Sequence, residues 1–182
     1  QMCIRDRENT VYMDMITTNY NGMPDKADTN DLVKVTIIND NGKLLLNTYA
    51  YPCNASHGAW TIALIVNNIP RVEITRAPNI DVVIANIRDI VTLADNIVVY
   101  NADKIADYFK KWKIEPITLI DVSRIPVRNY IVPRMPLQAM AYHYGYYATI
   151  DDYIDYDDSL HDTHQYTMML RHIYHHIFDK KI

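Results

Sequence analysis

Hydrophobic and polar positions alternate with a period of two through the first third of the chain. The pattern shifts to helical spacing after that. Val11 to Thr17 reads as a strand. Leu32 to Asn39 (LVKVTIIN) alternates and is rich in β-branched residues, and Lys43 to Tyr51 forms a third strand. Asn39-Asp40-Asn41-Gly42 joins the last two, and its Asn-Gly step is a strong short-hairpin signal. Three sequential strands with a tight turn predict an antiparallel half-sheet.

Beyond that point, Ile80, Val83, Ile84, Ile87, Ile90 and Val91 recur at helical spacing, which predicts an amphipathic helix over 79–94 behind Pro78. Asn96 to Tyr100 is a short apolar strand and Ala102 to Trp112 a helix. Ile117 to Asp121 is another strand, and Pro136 to Tyr144 a helix closed by Gly145. An acidic stretch, Ala148 to Asp158, leads into a last helix ending near Phe178, with Ser159 and Asp162 as its capping pair. The order is thus β-β-β-α-β-α-β-α-α, with an additional short helix around Trp60 to Val66. Such a meander followed by crossovers gives an α/β fold, a mixed five-stranded sheet flanked by helices.

The chain has 182 residues, one domain's worth, with 49% apolar and 22% charged residues. No apolar run reaches the roughly 18–20 residues of a membrane span, so no membrane partner is expected and the expected location is cytoplasmic. Cys3 and Cys53 match neither a disulfide framework nor a zinc spacing, in keeping with a reducing compartment. Gln1 to Arg7 looks foreign to the rest of the chain. The expectation is a non-native or disordered segment over 1–9 and one domain over 10–179. A net charge of −4 means that any nucleic-acid surface must be local.

Three stretches then resemble, in order, the motifs of the DEDD 3′–5′ exonucleases of histidine subtype (the DnaQ-like, RNase H-like group). Tyr12-Met13-Asp14-Met15-Ile16-Thr17-Thr18 is similar to an Asp-x-Glu-Thr-Thr motif. Val98 to Ile105 (VVYNADKI) is similar to a segment reading Asn-Ala-x-Phe-Asp, and His161 to Tyr166 (HDTHQY) to His-x-x-x-x-Asp. Leu137 to Gly145 resembles the helix before the third motif. The resemblance spans residues 11 to 178 and implies an RNase H-like three-layer α/β/α fold.

It also implies phosphodiester hydrolysis with two Mg²⁺ or Mn²⁺ ions held by four acids, and a histidine as general base. Carried over by position, Asp14 is the first acid and His161 the base, while Ile16, Ile105 and Tyr166 stand where the other three acids belong. Thr17, Thr18, Asn101 and Ala102 fall on substrate-binding positions, and Asp14 is the one remaining metal ligand. Losing three hard-metal ligands predicts an impaired or inactive enzyme, a pseudoenzyme for which no cofactor is expected. The alternative is an active exonuclease that uses the two metals and releases nucleoside monophosphates. Asp103 and Asp107, two positions to either side of Ile105, do not share its helix face. Tyr153 and Asp157 match the tyrosine variant of the third motif, in a register that abandons His161.

The expected partner is a single-stranded DNA or RNA 3′ end, or a replication or nucleic-acid-processing protein; a non-catalytic protein-interaction module is a further alternative. Seven basic residues between Lys104 and Arg134 (Lys104, Lys110, Lys111, Lys113, Arg124, Arg128, Arg134), interleaved with Trp112 and Tyr130, could contact phosphates and stack bases. The acidic stretch lacks the Gly and Glu of an EF-hand loop and reads as solvated. His164, His172 and His175, with Met168, form one stripe of the last helix, read as its polar outer face. The cluster Tyr142, Tyr144, Tyr146 and Tyr147 reads as packing for the sheet edge and last helix.

Overall fold

A computed structural model describes residues 9–18, 30–51, 61, 64–65, 67–125, 135–147 and 161–178. Its strands are β1 (Thr10–Thr17), β2 (Leu32–Asn39), β3 (Leu44–Tyr49), β4 (Asn96–Val99) and β5 (Leu119–Asp121). Its helices are α1 (Arg71–Thr75), α2 (Ile80–Val91), α3 (Ala102–Trp112), α4 (Leu137–His143) and α5 (Thr163–Phe178), with a 3₁₀ turn at Val122–Arg124. The expected order holds, with α1 and the 3₁₀ turn added. β5 begins at Leu119 rather than Ile117, which is exposed and pairs with nothing described. Within the helix expected around 60–66, Thr61, Leu64 and Ile65 are helical, and the other positions lie outside the described residues. So do Gln1 to Glu8, Cys3, Cys53, Arg128, Tyr130, Arg134, the acidic stretch and Ser159.

The five strands are ordered β3-β2-β1-β4-β5. β1–β2 and β2–β3 are antiparallel, β1–β4 and β4–β5 parallel. Alternation along β1 sends Val11, Met13 and Met15 to one face, where they pack with Val83 and Ile87 of α2 and Tyr108 and Phe109 of α3. Tyr12 goes to the other, against Met140 of α4 and Leu170 and Ile173 of α5. Each sheet face is thus covered by helices, the three-layer α/β/α arrangement.

The β2–β3 turn shows how local chemistry fixes register. Asn39 Oδ1 accepts from the amides of Asn41 and Lys43 at 3.1 and 2.9 Å, and Gly42 takes φ 79°. Asn41 keeps a negative φ, so the turn places one left-handed residue after the bend rather than the two of a type I′ turn. At the other end of the sheet, Asp121 organises the start of α3. Its carboxylate, 7% exposed, accepts from the amides of Asn101 and Ala102 at 3.0 Å each and from both the amide and hydroxyl of Ser123. Asn101 sits in the left-handed region (φ 68°) and lends α3 no side-chain cap, so Asp121 satisfies those orphan donors from the neighbouring strand.

Candidate functional site

Cross-strand pairing sets the geometry of the face that carries Asp14. Asp14 lies opposite Thr36, and Thr36 opposite Asn47; one row on, Ile16 lies opposite Lys34, and Lys34 opposite Tyr49. Residues directly opposite in antiparallel strands project to the same side. The beginning of α5 is seated on the first of these rows. Thr163 and Thr36 share a buried hydroxyl–hydroxyl hydrogen bond of 2.6 Å, and Thr36 also donates to Asn47 Oδ1 at 3.0 Å. Asp162 accepts the His164 amide at 2.9 Å and is itself the cap of α5, rather than a first-turn acid paired with Ser159, which lies outside the described residues.

That seating brings together two of the residues the motifs single out. His161 Nε2 lies 2.6 Å from Asp14 Oδ2, with the two side chains 29% and 13% exposed. An ionised carboxylate only accepts, so the imidazole nitrogen is the donor. The Tyr166 ring packs on His161 at 4.2 Å between centroids, and the Gln138 side-chain amide from α4 donates to the Tyr166 hydroxyl. Asp14, His161, Tyr166 and Gln138 make one contact chain across β1, α5 and α4.

The other two positions carried over from the motif resemblance do not join this contact chain. Ile16 is buried with Val33, Ile69 and Ile74. Ile105 is buried among Met13, Met15, Tyr108 and Phe109 on the opposite sheet face, because the apolar stripe of α3 faces that core. Thr17 and Thr18 are both buried, and the Thr18 hydroxyl accepts the Asp31 amide at 2.9 Å. Asn101 and Ala102 lend their amides to Asp121. Asp103 and Asp107 are exposed, and Asp103 takes a two-oxygen contact from Arg124 at 2.7 and 2.6 Å, which ties it to the 3₁₀ turn rather than to β1.

A two-metal phosphodiester centre needs several carboxylate oxygens converging within about 4 Å of the ion pair. Among the described residues at the motif positions one carboxylate is present, its Oδ2 already engaged by an imidazole, and a phenol and two buried aliphatic side chains stand at the remaining positions. Among the described residues no group of three or more His, Cys, Asp or Glu could hold a metal. The described donor set does not fit two hard cations.

Two expectations about surfaces need correction. Trp112 is 6% exposed and packs on Tyr108 and Phe109, so it offers no ring to a base; the cations around it, Lys110, Lys111 and Lys113, are exposed. The high apolar content of α3 on that stripe draws Trp112 inward. The histidine stripe of α5 is not an outer face either. His172 Nε2 meets the Tyr144 carbonyl at 2.8 Å, and His175 Nε2 meets Asp40 at 2.8 Å, because α5 is wedged between the sheet and the segment after α4. Tyr144, Tyr146 and Tyr147 do pack against that core, as their clustering suggests. Burial pushes the Tyr144 and Tyr146 phenols above their ordinary value.

Sequence reading missed Gln138 and the Thr36–Thr163 pair. Alternation and the Asn39–Gly42 turn place Thr36 opposite Asn47, but nothing local marks its pairing with Asp14 or the role of Gln138.

The sheet order, the two helical layers and the placement of Asp14 on β1 beneath the last helix define an RNase H-like, exonuclease-like fold. Solved structures match it across nearly the whole chain. A structure described as 3′-end specific recognition of histone mRNA stem-loop by 3′-exonuclease aligns with a TM-score of 0.62 at 14% identity, covering 96% of this chain and 83% of that one. The Saccharomyces cerevisiae Pan2 pseudoubiquitin hydrolase–RNA exonuclease module, in complex with AAGGAA RNA, aligns at 0.64 and 13% identity, covering 95% of this chain. The Neurospora crassa Pan2 catalytic unit, with protease and nuclease domains, aligns at 0.56 and 9% identity, covering 96%. The chain spans only 29% and 28% of those two Pan2 chains. At these identities the likeness is one of fold. No protein-family model matches the chain, and no curated protein matches it in sequence.

Proposed function

We propose that this chain is a nucleic-acid-binding domain on an exonuclease fold, one that engages the 3′ end of a single strand without hydrolysing it. The observation that carries the reading is the direct 2.6 Å contact between His161 and Asp14. A general base for attack on a phosphodiester must face a water beside the metals. This imidazole instead donates to the carboxylate that would hold them, and Tyr166 packs on its ring where a further acid would sit. Ile16 and Ile105, buried on two different sides of β1, return no oxygen donors.

Support for retained binding comes from the fold and from local charge. Two of the matching structures are described with RNA, one at a histone mRNA 3′ end and one with AAGGAA. Lys110 and Lys113 stand exposed at the end of α3, available to phosphates despite the net charge of −4. A free 3′-OH strand of DNA or of RNA is the partner class; discrimination between them would rest on contacts to the 2′-OH.

The test is a 5′-labelled single strand incubated with purified protein and Mn²⁺, Mg²⁺ or EDTA, with affinity followed in parallel by fluorescence anisotropy. The expected result is an intact strand under every condition and binding that weakens linearly in log–log coordinates as salt rises. Laddering from the 3′ end that EDTA abolishes would establish an active exonuclease instead. Absence of binding at low salt would leave a protein-interaction module.

A further inference from the structure

At the edge strand β3 lies a cleft of about 330 Å³ whose walls include Lys34, Asn47, Thr48, Tyr49, Glu73 and Arg76. Its volume falls in the range of small-molecule sites, roughly 300–1,000 Å³. Nothing in the motif resemblance assigns it a role. Lys34 and Tyr49 form the row next to Asp14, Thr36 and Asn47. From strand spacing and rise, Tyr49 lies roughly 12 Å from Asp14, two strands across and two residues along. The nearness also shows in electrostatics: after burial, the charges of Glu73 and of Asp162, the residue following His161, raise the Tyr49 phenol above its ordinary value.

We infer that this cleft is a phosphate-binding subsite for a nucleotide unit, with Lys34 and Arg76 as its cationic jaws and Asn47 and Tyr49 as neutral hydrogen-bond donors. The inference rests on the nucleic-acid reading above and locates part of the strand's path.

Four features carry it. The Lys34 ammonium is held 5.1 Å from the Tyr49 ring centroid, so its charge is anchored at the cleft rather than spread through solvent. Arg76 and Glu73 stand exposed three apart along α1 and its cap, and among the described residues neither is in an ion pair; a planar guanidinium fork matches phosphate oxygens. Asn47 spends its carbonyl on Thr36, so its amide N–H groups remain to donate. Burial and the nearby carboxylates keep Tyr49 in its protonated, donating form. Glu73 opposes an anion, but the two cations outnumber it in the cleft wall, and the Asp162 charge is engaged at the N-terminus of α5.

One phosphate chemistry has two sources here, an internal phosphodiester of a bound strand or a free nucleoside monophosphate. The experiment compares wild type, the double variant Lys34→Gln/Arg76→Gln and the control Lys43→Gln, each shown by circular dichroism to be folded. The probes are a labelled single-stranded oligonucleotide, AMP and inorganic phosphate. Loss of strand affinity by about tenfold at low salt in the double variant, with a salt slope shallower by about 1.4 (two contacts at roughly 0.7 each) and no change in the control, supports the subsite on a strand. AMP or phosphate binding that the double variant loses, without strand binding, supports it for a free phosphate ester. Strand binding with unchanged affinity and slope in the double variant overturns the cleft and leaves the nucleic-acid reading standing. No binding of any probe overturns both. Should the double variant misfold, amide chemical shifts of Asn47 and Tyr49 in the wild type answer the question: movement on AMP addition supports the site, and stillness at saturating AMP or strand overturns it.

Discussion

Asp14 and His161, 147 positions apart in the chain, meet through a single 2.6 Å hydrogen bond between Oδ2 and Nε2. β1 supplies the carboxylate, and the residue preceding the cap of α5 supplies the imidazole. The contact is held in place one strand over, where Thr36 and Thr163 share their own 2.6 Å bond. An exonuclease-like scaffold is thereby preserved around a pair of side chains that satisfy each other.

Supplying carboxylates by substitution should not rebuild a metal centre. Ile105 is 3% exposed and faces the core under the sheet, away from Asp14. Ile105→Asp is expected to destabilise the domain by about 3–5 kcal/mol, the cost of an uncompensated buried charge. Urea unfolding of this variant beside Ile16→Glu and Tyr166→Asp checks it. Tyr166→Asp, at a half-buried position, should be far milder.

Asp121→Ala should cost about 3 kcal/mol. The carboxylate satisfies two amides at the start of α3 and two donors of Ser123, and its removal strands them in a nearly closed site. Asp121→Asn should recover part of the loss, since its amide oxygen still accepts. Hydrogen exchange at Asn101 and Ala102 would localise the effect.

Tyr12 predicts an alkaline signature. It is fully buried on β1, donates to Asp40 at 2.9 Å, and is held above the ordinary phenol value first by burial and then by Asp40. The unfolded chain therefore releases this proton above about pH 10 while the folded chain keeps it. Above that pH the folded state binds more protons, so stability is full below about pH 10 and falls as pH rises further. Tyr12→Phe should flatten that decline in thermal melts between pH 9 and about 11.5, at a cost near neutral pH of about 1–2 kcal/mol for the lost hydrogen bond.

The threonine pair offers a coupling measurement. Thr36→Val or Thr163→Val alone leaves a buried hydroxyl short of a partner and should cost about 1–2 kcal/mol. Thr36 retains Asn47, so Thr163→Val should be the milder change. A double-mutant cycle should show non-additivity above about 0.5 kcal/mol, as for residues in direct contact.

Much of the fold was open to reading from local sequence. Alternation in β2, the Asn39–Gly42 turn, and the helices at Ala102–Trp112 and ending at Phe178 depend on residues within one window, where side-chain period and turn chemistry act directly. The ordered motif echoes located Asp14 and His161 without showing that they touch. The short α1 carries too few residues for periodicity to register, and its N-terminal Pro70 gave no side-chain cap to find.

What the sequence determined by itself was the order of the strands and longer helices, the α/β class and the residue identities at Asp14, Ile16, Ile105, His161 and Tyr166. Tertiary structure alone decided that His161 bonds Asp14, that Ile105 faces the opposite core, that Trp112 is closed to bases, and that Lys34, Tyr49 and Arg76 share a cleft. The physical reason is range. Periodicity and capping act over a few residues, whereas these four outcomes depend on which strands pair, in what register, and on which sheet face each helix buries its apolar stripe.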